Sequence, residues 1–349
     1  MKNMLVTGGC GFIGANFIRY LLSESDYTGR IINVDNLTYA GNPENLTDIK
    51  IDYPEHYIFI QADICDGKRI RKIFEDYQID SVCHFAAESH VDRSIVKPDA
   101  FIQTNIVGTF NLLESAKSRL DHMIRFHHIS TDEVYGSLGR EGYFTETTPY
   151  KPNSPYSASK ASSDHLVRSY HKTYGLPMTI SNCSNNYGPY QFPEKLVPLI
   201  ILNALEGKSL PVYGDGQNIR DWLYVRDHCT AIWEIMKQGE NGETYNIGGN
   251  SEMENIKLVE MICDVLDEMK RLSDNRSRRD LITFIKDRPG HDRRYAIDFG
   301  KLKKELNWFP EASLETGIRD TIKWYMENQK WVERVKSGEY QAWIKTHYA

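Results

Sequence analysis

Two acids stand where a hydrophobic run should be leaving a strand: Ile129-Ser130-Thr131-Asp132-Glu133-Val134-Tyr135-Gly136. About one loop later, Tyr156 and Lys160 sit four residues apart at the start of a helix. Residues four apart on a helix share a face, so the phenol and the ammonium can point into one cleft. An acid pair, a tunable phenol and a permanent cation suit an enzyme that moves several protons in one site. Such an enzyme also needs a hydride carrier. The plainer account of Asp132 and Glu133 is a helix N-cap followed by a first-turn acid. With 21 tyrosines in the chain, about one Tyr-x-x-x-Lys is expected by accident. The weight therefore falls on where the pair sits.

The elements that must position these groups read as a nucleotide fold. Met4-Leu5-Val6-Thr7 is a short buried strand, and Gly8, Gly11 and Gly14 follow in a G-x-x-G-x-x-G spacing. Such glycines make a tight turn, let the backbone approach a pyrophosphate, and place the anion at a helix N-terminus. An amphipathic helix is expected over about 12–22. A second strand, 30–35, ends in Asp35, placed to bind the adenosine ribose. Asn36 follows instead of an arginine, so NAD is favoured over NADP. A third strand ends at Asp63 and Ile64, flanking the adenine, although Asp63 also suits a helix N-cap. The fourth strand, 81–85, runs into Ala86-Ala87-Glu88-Ser89-His90, where the small residues at the strand's carboxyl end leave room for a ligand. His84 reads as a core histidine and His90 as a contact for sugar or phosphate. A helix over about 99–117 carries Thr104 and Asn105, and the fifth strand, 125–130, delivers Thr131, Asp132 and Glu133. Strands and helices alternating over some 180 residues predict an α/β fold with a Rossmann-type, doubly wound parallel sheet.

Bulk properties exclude several classes. The 349 residues are 40% apolar and 26% charged, as in an ordinary globular chain. A net charge of −6 and a pI near 6.0 leave no footprint for nucleic acid. No apolar run approaches the length of a membrane span. Met1-Lys2-Asn3 runs straight into a strand, so no signal peptide is expected. Six scattered cysteines without a Cys-x-x-Cys predict neither a disulfide framework nor a metal site, and suit a cytoplasmic protein.

The second half reads as a smaller α/β substrate-binding domain. A sixth strand over 178–183 leads to Asn185 and Asn186. The stretch 192–198 starts a helix where Lys195 and backbone N–H groups can meet a phosphate. Strand 210–214 carries Tyr213, an aromatic that could stack on a base. The run from Arg288 to Tyr295 is dense in groups suited to phosphate, because a guanidinium fork meets phosphate oxygens in pairs. Local ion pairs, Arg220 with Asp221 and Asp287 with Arg288, are the plainer account. Residues 244–249 return as a strand to the first sheet, so the expected division is 1–182 plus 225–250 for the cofactor and 183–224 plus 251–349 for the substrate. The stretch 270–280, with four arginines, reads as a solvated connection, and Trp324, Trp331 and Trp343 as packing residues of a helical tail.

Segments 7–14, 35–42, 86–95, 156–160 and 185–189 resemble the extended short-chain dehydrogenase/reductase family, and the likeness runs from Met4 to about Tyr325. Within that family Thr131-Asp132-Glu133 resembles the branch that dehydrates dTDP-glucose; related sugar epimerases usually carry Ser-Ser or Ser-Ala there. The resemblance implies that Tyr156 takes the proton of the glucose 4-hydroxyl while C4 gives its hydride to NAD, and that Thr131 bonds the same oxygen. A free phenol, with a pKa near ~10, must be lowered for that task, by Lys160 and the positive nicotinamide. Glu133 would remove the C5 proton and Asp132 would protonate the departing C6 hydroxyl, so their pKa values must be pushed apart. NAD would stay tightly bound, with Phe12, Ile13, Leu37, Thr38, Thr104 and Asn186 among its contacts. Asn185, Leu196, Pro211, Arg220, Asn255, Arg288 and His291 would hold the nucleotide sugar. Helices at about 99–118 and 153–174 resemble those that pair two subunits, implying a homodimer. The alternatives are another NAD-dependent nucleotide-sugar dehydratase or 4-epimerase, and a non-catalytic NAD-binding sensor, since fold alone does not assign function. The acid pair speaks against the epimerase, and its presence beside Tyr156 and Lys160 speaks against the sensor.

Overall fold

The computed structural model describes residues 1–272, 275–287 and 291–338. Its strands are β1 (Asn3–Thr7), β2 (Arg30–Asp35), β3 (Tyr57–Gln61), β4 (Ser81–His84), β5 (Arg125–Thr131), β6 (Met178–Cys183), β7 (Asn185–Tyr187), β8 (Leu210–Tyr213), β9 (Ile219–Tyr224), β10 (Thr244–Ile247), β11 (Glu252–Glu254) and β12 (Ile282–Ile285). Seven of them form one parallel sheet in the order β10-β6-β5-β4-β1-β2-β3. The order reverses between β1 and β4, and a crevice opens there at the carboxyl ends of the strands. β4, β5, β6 and β10 are buried at every position. Helices Phe12–Ser23 and Val225–Gln238 cover one face; Gly67–Asp76, Thr109–Lys117 and Pro155–Tyr174 cover the other. A parallel sheet covered on both faces excludes water from its strands, which explains their continuous apolar runs.

Polar residues inside this sheet are bonded to one another. His84 is held between the hydroxyls of Thr7, at 2.7 Å, and Thr109, at 2.9 Å, as befits a core histidine. The helix after β5 starts at a capping box: Ser154 Oγ accepts from Ser157 N at 3.1 Å, Ser157 Oγ accepts from Ser154 N, and Pro155 occupies the first turn. This fixes the start of the helix only two residues from Tyr156. The helix expected over 99–117 is interrupted by a π-helical segment, Ile102–Gly108, which carries Thr104 and Asn105. Asn105 Nδ2 donates to Glu88 O and Ser159 Oγ, tying that segment to the end of β4 and to the following helix.

Outside the large sheet, β7, β9 and β11 form a three-stranded sheet, and β8 pairs with β12. Helices Leu196–Leu205, Asn255–Met269 and Leu314–Glu327 pack with these strands around a third apolar cluster. The helix expected from 192 begins at Leu196, with Lys195 as its N-cap residue. The 270–280 stretch is not wholly a solvated face. Arg278 is 1% exposed, donates to Asp267 Oδ1 at 2.6 Å and to Ala204 O at 3.0 Å, and anchors the connection. Trp324 and Trp331 pack against Tyr190, as expected of packing residues; Trp343 lies outside the described residues. All six cysteines are free thiols. Among the described residues no helix is long and apolar enough to cross a membrane.

Candidate active site

A cleft of about 350 Å³ lies at the carboxyl ends of the central strands. At one end is the glycine turn. Gly8 has φ +70°, and a Cβ on it would come within 2.7 Å of the Ala86 backbone. A Cβ on Gly14 would run into Gly8 O. The turn therefore brings bare backbone against the N-terminus of the helix Phe12–Ser23, a cradle that fits a pyrophosphate. Asp35 stands at its far side, with Oδ2 accepting from Cys10 N at 2.9 Å and Oδ1 from Leu37 N at 2.8 Å. Each carboxylate oxygen keeps a lone pair for a ribose hydroxyl. Asn36 Nδ2 donates to Asp63 Oδ2 at 3.0 Å, and Asp63 Oδ1 accepts from Cys65 N. The next helix is capped by Asp66, so Asp63 is not an N-cap and stays at the cleft.

Gly8, Gly11, Phe12, Ile13, Gly14, Asp35, Asn36, Thr38, Asp63, Ile64, Ala86, Ala87, Ser89, Thr104 and Asn186 all line this cleft. Leu37 does not; it is buried beneath the strip. The other end of the cleft holds Thr131, Asp132, Glu133, Tyr156 and Lys160 together. Thr131 ends β5, and its Oγ1 accepts from Glu133 N and donates to Asp132 Oδ1, both at 3.3 Å. Asp132 is 2% exposed, and burial, then the charges of Glu133 and Asp221, raise its carboxyl well above the usual range. Its Oδ2 has no partner among the described residues. Its surroundings thus favour the protonated form of Asp132, with the half-buried Glu133 beside it.

The protein's own groups raise the Tyr156 phenol: burial first, followed by Glu133, Cys183 and Asp132, against a bond to Thr131. Lys160 Nζ donates to Ile129 O at 2.7 Å and approaches His128 Nε2 at 3.4 Å. One expectation needs correcting: Lys160 is not a permanent cation. Burial brings its ammonium down to about 8, with Asp164 and Cys183 acting in the other direction.

The residues expected to hold the sugar nucleotide fall into two groups. Asn185 and Lys195 line the cleft, and His90 stands at its rim with Nε2 3.7 Å from Glu194 Oε1. Leu196 opens the helix beside them. Further out, Arg220 Nη2 and Asn218 Nδ2 both donate to Asp292 O, and Asn255 N donates to Asn218 O. The side-chain oxygens of Asn218 and Asn255 are buried without a partner among the described residues. Arg220 lies over the Tyr295 ring at 4.3 Å. His291 pairs with Asp287 at 2.6 Å and meets the Tyr213 ring edge-on, and Pro211 is two residues before Tyr213 on β8. Arg220 and Asp221 do not form a local pair, because Asp221 accepts instead from Gly249 N and Ser251 N. Arg288 lies outside the described residues.

Some cleft residues were not foreseen. Tyr39, Glu88, Gln191 and Phe192 line it. Tyr39 meets Phe192 edge-on at 5.8 Å, with the Arg93 guanidinium 3.7 Å above its ring and Arg93 Nη2 donating to Glu194. Tyr39 could have been noticed from its place four residues beyond Asp35. The others come from loops whose path no periodicity predicts.

A family model described as GDP-mannose 4,6 dehydratase matches residues 5–321. The dTDP-glucose 4,6-dehydratase 1 of Escherichia coli K12 is 56% identical, covering 99% of this chain and 98% of its own. The crystal structure of dTDP-glucose 4,6-dehydratase from Bacillus anthracis in complex with NAD is 46% identical, covers 96% of this chain and 100% of its own, and superposes with a TM-score of 0.85. That of DesIV, the Streptomyces venezuelae dTDP-glucose 4,6-dehydratase solved with NAD bound, is 43% identical, with coverage of 95% and 99% and a TM-score of 0.89. The chain belongs to the dTDP-glucose 4,6-dehydratase family of the extended short-chain dehydrogenases/reductases.

Proposed function

We propose that this protein converts dTDP-glucose to dTDP-4-keto-6-deoxyglucose, using NAD that it retains. The observation that carries this is the pair of adjacent carboxyls in different environments, Asp132 buried where its neutral form is favoured, Glu133 half-buried, beside Tyr156 and Lys160. An epimerase has no use for an acid and a base at neighbouring carbons. Bound NAD supplies the hydride acceptor at C4, the positive charge that favours a phenolate, and the hydride later returned to C6. Its pyrophosphate fits the cradle of Gly8, Gly11 and Gly14, and its adenosine ribose fits Asp35. Tyr156 removes the proton of the 4-hydroxyl as the hydride leaves, and Thr131 bonds that oxygen. The resulting ketone acidifies C5. Glu133 takes the C5 proton while Asp132 protonates the C6 hydroxyl, which leaves as water. Glu133 then returns a proton to C5 as C6 receives the hydride. Lys160 holds the nicotinamide ribose.

The nucleotide sugar is held by His90, Asn185, Lys195 and Leu196 near the sugar, and by Pro211, Tyr213, Arg220, Asn255, Arg288 and His291 around the diphosphate and nucleoside. On this account 1–182 plus 225–250 serve the cofactor, and 183–224 plus 251–349 the substrate. A homodimer is supported by exposed apolar residues Ile95, Val96, Ile102, Phe110 and Tyr174 on and beside the helices expected to pair. The protein works in the cytoplasm, where its free thiols persist. The test is dTDP-glucose carrying deuterium at C4, supplied without NAD. The label is expected at C6 of the product; its release to solvent, or a requirement for stoichiometric oxidant, refutes the proposal.

A further inference from the structure

The helix that carries Tyr156 and Lys160 continues the same four-residue spacing to Asp164 and Arg168. Four successive turns thus put a phenol, a cation, an anion and a cation on one face. Asp164 and His128 are both wholly buried. His128 Nε2 stands between the two charges, 3.4 Å from Lys160 Nζ and 3.2 Å from Asp164 Oδ1. Ser163 Oγ is 3.2 Å from the same nitrogen. The other carboxylate oxygen, Oδ2, accepts from Ser130 Oγ at 2.8 Å and from Tyr150 OH at 2.9 Å. Arg168 Nη2 donates to Tyr150 OH at 2.9 Å, and Tyr150 and Arg168 both line a second, outward-facing cleft. Oδ1 faces His128 Nε2 but has no hydrogen-bond partner among the described residues, so the two hydroxyls on Oδ2 and the nearby Lys160 ammonium are what offset the burial of this carboxylate.

We propose that Asp164 is a positioning residue for catalysis: its buried carboxylate, one turn beyond Lys160 on the same helix face and against the same His128 ring, favours the charged ammonium of Lys160 beneath the cleft. The proposal deepens the dehydratase reading and rests on it. Burial raises the Asp164 carboxyl, and His128, the charge of Lys160 and the Ser130 hydroxyl bring it below its ordinary value. Burial, followed by the charge of Lys160, brings His128 down to about 4, so the neighbouring ring is neutral at pH 7, and there the Lys160 charge and the Ser130 and Tyr150 hydroxyls are what face the carboxylate. Lys160 receives opposing influence from few sides. Cys183 on β6 is near it, its thiol pushed up by burial to about 12 and therefore uncharged. His84 on β4 is driven to its neutral form by burial and by His128 and Lys160. Tyr150 and Tyr135, from the segment after β5, are both raised above their ordinary value by burial and are neutral phenols. Arg168, on the same helix, is a cation. Asp164 is thus the anion that favours the charged form of Lys160.

The sign is fixed by these facts. Lys160 loses its proton as the pH rises through about 8, and activity that needs the ammonium falls there. Without the Asp164 charge that loss comes at lower pH. The experiment compares kcat against pH for the wild-type holoenzyme and for Asp164→Asn, with dTDP-glucose as substrate and thermal unfolding recorded for each. Failure of the wild type to turn over dTDP-glucose refutes the dehydratase reading itself; the comparison below applies to an active wild type. The alkaline limb of Asp164→Asn is expected to move down by about one pH unit or more, so the variant is about tenfold or more below wild type near pH 8.5 and much closer to it near pH 6.5. A uniform loss at every pH, with the limb in its wild-type position, overturns the proposal. If Asp164→Asn does not fold, the double variant Ser130→Ala/Tyr150→Phe decides. It strips both donors from Oδ2, the carboxyl protonates in place, and the limb is expected to move in the same direction. An unmoved limb in that variant is equally decisive against the proposal.

Discussion

Replacing Asp132 with asparagine separates the chemical role of this residue from its structural one. Burial, Glu133 and Asp221 raise the carboxyl well above the usual range and so favour its neutral form, which asparagine matches in charge and shape. The amide oxygen can accept the Thr131 bond now made to Oδ1, and the amide nitrogen takes the place of the unpartnered Oδ2. A carboxyl whose pKa is raised on folding costs stability above its unfolded pKa, about 1.4 kcal/mol per unit of raised pKa, and asparagine removes that cost. The variant should therefore be at least as stable as wild type at neutral pH, and its advantage should shrink as the pH falls through the unfolded carboxyl range.

Function should suffer where stability does not. An amide cannot protonate a leaving hydroxyl, and general acid catalysis contributes roughly 10²–10⁴ in rate, or about 3–5 kcal/mol of barrier. Oxidation at C4 needs only Tyr156 and the cofactor, and proton removal at C5 needs Glu133. The variant should therefore accumulate bound NADH on mixing with dTDP-glucose and still exchange the C5 proton with deuterated solvent, while its kcat for product falls by at least about 100-fold. Rapid mixing followed at the absorbance of reduced nicotinamide, mass spectrometry of recovered sugar and urea denaturation read the three quantities. Turnover within tenfold of wild type, or a failure to form any NADH, refutes the assignment of Asp132 as the acid.

Glu133→Gln should oxidise C4 but take up no deuterium at C5, and uptake at the wild-type rate would remove Glu133 from the base role. Tyr156→Phe should stop the reaction before the first hydride moves; rapid appearance of bound NADH would contradict the role of the phenol. Gly14→Ala puts a methyl group into Gly8 O, so the purified variant should carry little or no NAD, read from the absorbance of the denatured protein. Arg278→Met breaks a pair in which the arginine is 1% exposed but the Asp267 side chain is 24% exposed. It should lower stability by about 2–3 kcal/mol in urea titration, less than a fully buried pair would lose.

The parallel sheet and the cofactor end of the cleft were legible because each strand announces itself by an apolar run and each turn by residues with a steric or charge requirement. Gly8, Gly14 and Asp35 are cases where one residue type satisfies the geometry. Asp66 shows the limit: it caps the helix after β3 although Asp63, three residues earlier, has the same chemistry. Propensity does not choose between two aspartates when the loop's path decides. The sugar-nucleotide end was read as residues but not as a cluster, because Tyr213 meets His291, and Arg220 and Asn255 are linked through Asn218 and Asp292, across segments far apart in sequence and without periodicity. Arg278 was misjudged from a charged neighbourhood. Its burial depends on Asp267 and Ala204, which belong to other elements. Asp164 was within reach of the same four-residue rule that paired Tyr156 with Lys160, but a charge on a helix face reads as solvated until the opposing strand is placed against it.

That two neighbouring residues can serve as opposite partners in one elimination follows from the turn that holds them. Asp132–Tyr135 is a 3₁₀ segment directly at the end of β5. With about three residues per turn, successive side chains leave such a segment about 120° apart. Adjacent carboxyls therefore enter different surroundings: Asp132 turns inward to 2% exposure, while Glu133 keeps partial contact with solvent. Burial disfavours the charge of the inward group, and the charge of Glu133 beside it adds to that cost. The turn thus sets a carboxyl whose neutral form is favoured beside a separate, partly solvated one in a single dipeptide.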